Sequence, residues 1–308
     1  MRLPEILFID LEVGLNSHVI HSVGALIKET PYNGQSVNFI RDLYFEYKPD
    51  YLCGHNFINH DKKFLSATSF NPIFETVKII DTFYLSMLVY PDKISHKLSK
   101  PYKTEAHIQN DPFGDCLATK ELLEIMIERF QTFGPSMQSL LSFLLEKDTY
   151  YKGFFSYIGV APEAIDVYEQ FISSIKCTKE YFLKCLCDFP TEMAIILVYL
   201  LTKERTSLSY AVLQTFPKTV RLLKELLYDP SSIDLIQFAK DEFGIPGFRE
   251  FEAMDSGIDL FSQDMGNISQ LHIIESALDG ECLWAILPTG GGKTFAFQMP
   301  ALIKVQSY

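Results

Sequence analysis

Ile6-Leu7-Phe8-Ile9-Asp10-Leu11-Glu12 is an apolar run that closes on two acids one residue apart. A β-strand turns alternate side chains to opposite faces, so Asp10 and Glu12 project together from the end of a buried strand. Two carboxylates held side by side at an apolar edge repel each other, and a divalent cation removes that conflict. Hard oxygen donors suit magnesium or manganese. The stretch points to an α/β chain with a metal at a strand end, and so to phosphoryl chemistry.

Two further segments set acids in matching positions. Tyr51-Leu52-Cys53 is a short apolar strand, and Gly54-His55-Asn56 after it gives the chain a sharp turn. Asn59-His60-Asp61-Lys62-Lys63 then reads as a helix start, with Asp61 where the helix dipole favours an acid. Asp115 opens a helix expected over residues 115–133, with Ala118, Leu122, Ile125, Met126 and Phe130 on its apolar side. Acids at a strand end and two helix ends can converge on a pair of metals about 4 Å apart that bridge a phosphate. Asp10, Glu12, Asp61 and Asp115 are therefore the candidate ligands of two Mg2+ or Mn2+ ions. Each acid alone reads as well as a solvated surface residue; their order and settings single them out. His96, Lys97, Lys100 and Lys103 form either a patch that holds phosphates or a loop of solvated charges.

The 308 residues suffice for about two domains, and a hydrophobic content of 47% supports proper cores. The net charge of −12 argues against a broad electrostatic surface for nucleic acid, which would have to be held by metal and a few cations. No run reaches the roughly 18 apolar residues of a membrane span, and Met193–Leu201 reads as a buried helix. Met1-Arg2-Leu3-Pro4 leads straight into a strand, so no signal peptide is expected. The six cysteines are scattered, with only Cys185 and Cys187 close, which fits reduced thiols in a cytoplasmic protein.

Residues 1–134 alternate between strands and helices. A second strand is expected from His18 to Lys28, a helix from Asn38 to Tyr47, and a buried strand from Val77 to Asp81. Gly134-Pro135 marks a boundary. Residues 135–229 carry Leu and Phe at helical spacing and read as a helical linker or packing region. Asp229-Pro230-Ser231-Ser232 punctuates the next boundary, before residues 230–308.

The three acidic motifs, Phe8-Ile9-Asp10-Leu11-Glu12, Gly54-His55-Asn56-x4-Asp61 and Asp115-Cys116-Leu117-Ala118-Thr119, resemble those of the DEDD exonucleases, and Ile80-Asp81-Thr82-Phe83 is similar to the strand end common in that family. The resemblance covers about the first 134 residues. It implies a ribonuclease H-like fold and removal of nucleotides from 3′ ends with two metals. The family's histidine subgroup carries its general base five residues before the last Asp, where this chain has Asn110. Asparagine cannot take a proton from water. Three readings follow: His107 swings in as the base, the metal-bound hydroxide works without one, or the domain binds ends without cutting.

A second chemical signal lies near the C-terminus. Cys282-Leu283-Trp284-Ala285-Ile286-Leu287 is an apolar strand, followed by Pro288-Thr289-Gly290-Gly291-Gly292-Lys293-Thr294 and a helical stretch. Glycines let backbone N–H groups close around phosphate at a helix N-terminus, Lys293 reaches the β- and γ-phosphates, and Thr294 meets magnesium. The strict loop pattern begins with glycine where this chain has Leu287. The loop with Gln270-x2-Ile273-Ile274, Gly280 and Phe297-Gln298-Met299-Pro300-Ala301-Leu302 resembles the opening of a RecQ-type superfamily-two helicase, over roughly residues 240–308. There Gln270 corresponds to the glutamine that reads adenine, and Phe248-Arg249 to an aromatic–Arg pair before it. No Asp-Glu-x-His box or arginine finger follows, so ATP-driven unwinding is not expected of this chain, and ATP is a ligand only of a longer parent carrying the rest of the helicase.

The expected architecture is an α/β ribonuclease H-like exonuclease domain, a helical region, and the first elements of a RecA-like motor. The expected activity is metal-dependent 3′–5′ hydrolysis of DNA ends. The alternatives are an end-binding module without cleavage, an RNA-directed exonuclease, and a remnant with no activity.

Overall fold

Strand β1 (Ile6–Val13) runs through the middle of a five-stranded mixed sheet of order β3-β2-β1-β4-β5. The computed structural model describes residues 5–14, 19–98, 112–203, 207–227, 235–251, 268–278 and 291–306. β2 (Ile20–Ile27) pairs antiparallel with β1, with Asp10 opposite Gly24, and β3 (Thr30–Gly34) returns along β2. The β2–β3 turn consists of Lys28 and Glu29, both left-handed at φ 48° and 62°. Two positive φ values match the right-handed twist of a tight hairpin. β4 (Tyr51–Gly54) and β5 (Lys78–Asp81) extend the sheet on the other side, parallel to β1. The parallel crossovers carry α1 (Val37–Tyr47), α2 (Asp61–Ser66) and a 3-10 turn at Asn71–Glu75.

Alternation along β1 sorts its side chains. Leu7, Ile9 and Leu11 join Ile40 and Leu43 of α1, Leu65 of α2, and Leu52, Phe57 and Phe70 in one apolar core. Phe8, Asp10 and Glu12 take the other face. α3 (Thr82–Val89) springs directly from β5, and α4 (Pro112–Gln131) packs across β1 and β2. The buried stripe of α4 is Asp115, Cys116, Thr119, Leu123, Met126 and Phe130, whereas Ile125 is 51% exposed. The apolar side expected from Ala118, Leu122 and Ile125 is thus rotated, because turning Asp115 toward the sheet carries those residues outward.

The helical stretch comprises α5 (Pro135–Leu145), α6 (Lys152–Ile158), α7 (Tyr168–Phe171), α8 (Lys179–Asp188), α9 (Pro190–Thr202), α10 (Tyr210–Thr215) and α11 (Lys218–Leu227). Most of it belongs with the sheet: one compact unit spans Met1–Phe171 and Lys179–Leu222. The boundary expected at Gly134-Pro135 falls inside that unit. α6 lies so close on β5 that a Cβ on Gly153 would stand 1.8 Å from the Ile79 carbonyl oxygen. In α9 every residue from Met193 to Tyr199 is buried, as expected of the Met193–Leu201 run, whereas Leu201 at its end is 46% exposed. No helix among the described residues is long and apolar enough to cross a membrane.

The second unit spans Ile172–Thr178 and Leu223–Tyr308. It contains α12 (Leu235–Phe243), β6 (Glu250–Phe251) paired with β7 (Ile268–Ser269), α13 (Gln270–Leu278) and α14 (Lys293–Gln306). Its core gathers Ala239, Ile274, Leu278, Phe295, Met299 and Ile303. The strand expected at Cys282–Leu287 lies outside the described residues.

Candidate metal centre at the carboxyl end of the sheet

The acid centre is assembled by a close approach of helix to sheet. Gly24 pairs with Asp10, and a Cβ on Gly24 would stand 2.3 Å from the carbonyl carbon and oxygen of Pro112. No other residue permits that approach, which sets the first turn of α4 against β2 at the level of Asp10. Asp115, three residues further along α4, then faces the acids of β1. Asp10, Glu12 and Asp115 each bring a carboxylate oxygen within 4.8 Å of the others. The pairing of β1 with β2 shifts register between Glu12 and Val13, an irregularity of the kind that re-aims side chains beside active sites. Carboxylates this close repel one another, and a divalent cation with an affinity for hard oxygen offsets that repulsion. The trio can hold a metal ion.

Among the described residues Asp61 does not join this group of three. Its carboxylate is 2% exposed, accepts the Leu11 N–H at 3.0 Å through Oδ1, and lies 3.7 Å from His60 Nδ1 through Oδ2. Asp61 thereby pins the start of α2 to the β1 residue between Asp10 and Glu12. Burial raises its pKa, against the pull of His60 and the Leu11 N–H. The same pairing raises the pKa of His60, which also feels Glu12. Asp61 remains close by: after burial, the charges of Asp10, Asp61 and Asp115 all help push the Cys116 thiol up.

Three neighbours stand in the quoted motifs but received no role in the sequence reading. His60 is one. Asp81 is another: it caps α3 through the Phe83 N–H at 3.0 Å and also accepts from Asn56 N–H at 3.0 Å and Ile58 N–H at 2.8 Å. Burial pushes its pKa up to about 7, against those three donors. The third is His55, whose Nδ1 lies 3.0 Å from Thr82 Oγ1 and whose ring meets Phe83 edge to face at 5.7 Å. The Asp-Thr strand end gave a signal for Asp81, but its backbone partners left no trace in the sequence.

Of the four residues read as a basic patch, His96 takes no part in it. His96 is 3% exposed, with Nδ1 2.8 Å from Ser86 Oγ and Nε2 2.9 Å from Ser209 Oγ. Burial lowers its pKa to about 4, so it is a neutral core residue and not a phosphate-binding cation. Lys97 is exposed. Lys100, Lys103, His107 and Asn110 lie outside the described residues.

In the second unit, Lys293 and Thr294 open α14 and both are exposed, while Thr289 and Gly290 lie outside the described residues. Gln270 is buried, donates to the Gly291 carbonyl oxygen at 2.8 Å and accepts the Arg249 N–H at 3.0 Å. Its amide therefore straps Gly291 of the glycine loop to residue 249. Phe248 stacks on Phe295 at 6.0 Å, as part of this unit's packing.

No protein-family model matches the chain, and no curated protein matches it.

Proposed function

We propose that the acid centre binds Mg2+ or Mn2+ and that the chain hydrolyses phosphodiester bonds at 3′ ends of DNA. The convergence of Asp10, Glu12 and Asp115 within 4.8 Å carries this reading. The ordered resemblance to the DEDD exonucleases supports it and supplies the polarity. When bound, such ions lower the pKa of water and neutralise charge on phosphate oxygens. The chain's part is to hold them: Asp10 and Glu12 from one strand face, Asp115 from the helix that Gly24 admits. Asp61 positions the site by tying α2 to β1 through the Leu11 N–H. With a net charge of −12, the protein relies on the metal and a few cations to hold the nucleic acid.

By its resemblance to RecQ-type helicases, the second unit is proposed to belong to a RecA-like ATP-binding region of a DNA end-processing protein. Gly291, Gly292, Lys293 and Thr294 would hold phosphate, and Gln270 would have to exchange one of its backbone partners to read adenine.

The test is manganese-dependent release of mononucleotides from a 5′-labelled strand. Asp10→Ala abolishes it, and so does chelation of the metal. Unchanged release by Asp10→Ala rejects the centre. Matched DNA and RNA strands decide the sugar, and binding without cleavage under every divalent metal makes the domain an end-binding module.

A further inference from the structure

The β1–β2 ladder sets three cross-strand pairs on the face that carries the acids. Phe8 lies opposite Leu26, Asp10 opposite Gly24, and Glu12 opposite Ser22. All six residues stand inside the two strands. Their strand neighbours Leu7, Ile9, Leu11, Val23, Ala25 and Ile27 join the apolar core on the other face, so alternation turns the Ser22 side chain to the acid face. The register is regular through Glu12 and shifts only beyond it, which keeps Ser22 in line with Glu12.

The character of the row changes along it. Phe8 and Leu26 are apolar and buried, and at Gly24 the place of a side chain is taken by the Pro112 backbone. Ser22 is half-buried and is the one hydroxyl among the six. Among the described residues that hydroxyl has no hydrogen-bond partner. Side chains directly opposite in an antiparallel pair stand about 4.5–5.5 Å apart at Cβ. A glutamate reaches across that gap, and a serine hydroxyl offers it one donor.

Resting on the metal-centre reading above, we infer that Ser22 is a positioning residue of the centre: its hydroxyl donates to the Glu12 carboxylate oxygen that faces away from the ion. A carboxylate that gives one oxygen to a cation keeps a second that needs a donor, and such outer partners fix the orientation of the ligand itself. Ser22 thereby holds Glu12 ionised and aimed toward Asp10 and Asp115, whose oxygens lie within 4.8 Å of its own. No bond among the described residues has to break for the hydroxyl to do so.

Calorimetric titration of Mn2+ into the full chain tests this without a substrate. Ser22→Ala is expected to weaken Mn2+ binding about 10–100-fold while melting, in the absence of metal, where the wild type does. Ser22→Thr keeps the hydroxyl and should stay within about threefold of wild type, whereas Ser22→Val, of similar shape, should fall as Ser22→Ala does. With Glu12→Ala in place, adding Ser22→Ala should lower the remaining affinity no further, as a single shared interaction requires. If Ser22→Ala does not fold, the Thr and Val pair carries the comparison. A Ser22→Ala chain that binds Mn2+ within about twofold of wild type overturns the inference. So does a Ser22→Thr chain as weak as Ser22→Val, or an equal loss in the Glu12→Ala background. A wild type that binds no Mn2+ removes the centre and this inference together; a binding wild type with an indifferent Ser22→Ala removes only this inference.

Discussion

Gly24 carries no chemistry, yet the position of Asp115 depends on it. The Pro112 carbonyl group lies 2.3 Å from where a Cβ would stand, and both partners are backbone, which cannot swing aside. Gly24→Ala must therefore push the first turn of α4 off β2. Overpacking of this kind costs about 1–3 kcal/mol, to be read as a lower melting temperature. It should also weaken Mn2+ binding, because Asp115 moves away from Asp10 and Glu12. A variant that melts earlier with unaltered Mn2+ affinity would sever the link between this contact and the centre. At this scale the sequence was legible where a side chain's own spacing announces it. Asp10 and Glu12 follow from alternation, and Asp115 from its place at a helix start. Asp61 also stood out, but its partner is the backbone N–H of Leu11, which no side-chain pattern encodes. His55 was visible as a letter in a motif, but no spacing encodes the contact of its Nδ1 with Thr82 Oγ1.

The elements depart from the sequence reading for local reasons. β3 was missed because Lys28-Glu29 makes its hairpin turn without the Asn-Gly or Asp-Gly signal that two left-handed residues usually bring. The face of α4 was misjudged because an inward acid outranked an outward isoleucine. α3 is tied at both ends by buried titrating groups, and these give the unit a testable response to pH. Asp81 caps its start with a pKa raised from 3.8 to about 7, while His96 near its end has one lowered from 6.5 to about 4. A raised carboxyl contributes stability that is full below its unfolded value and lost as pH climbs toward 7. A depressed imidazole contributes stability that is full above 6.5 and lost as pH falls toward 4. Between pH 4 and 6.5 the two slopes oppose and largely cancel. Asp81→Asn removes the titrating group while its one amide oxygen keeps an acceptor for the Asn56 and Phe83 N–H groups, at the cost of the Ile58 bond; it should expose the His96 slope, with stability rising by roughly 3 kcal/mol across that window. His96→Gln should expose the reverse. Denaturant melts at several pH values check both, and parallel curves for wild type and Asp81→Asn would refute the assignment.

On the scale of the molecule, the sequence suggested a nuclease domain closing at residue 134 and a separable helical region. Gly134-Pro135 looked like an ending because Pro135 starts a new helix, and a helix start is all those two residues encode. What continues across it is packing. α6 lies against β5 with Gly153 on the Ile79 backbone, and α9 packs on both α3 and α5 with a run of buried residues from Met193 to Tyr199. Burial of each large apolar side chain is worth about 1.5–3 kcal/mol, so these contacts rival the total stability of a domain. A protein cut after residue 134 would bare β5 and the face of α3, while one cut after Leu222 would retain both covers. The longer protein should melt in one cooperative transition and bind Mn2+ through Asp10, Glu12 and Asp115. The shorter one should melt broadly, expose apolar surface to a hydrophobic dye and lose that binding. If residues 1–134 fold cooperatively and hold Mn2+ as the longer protein does, the helices are dispensable to the centre and the boundary suggested by the sequence stands.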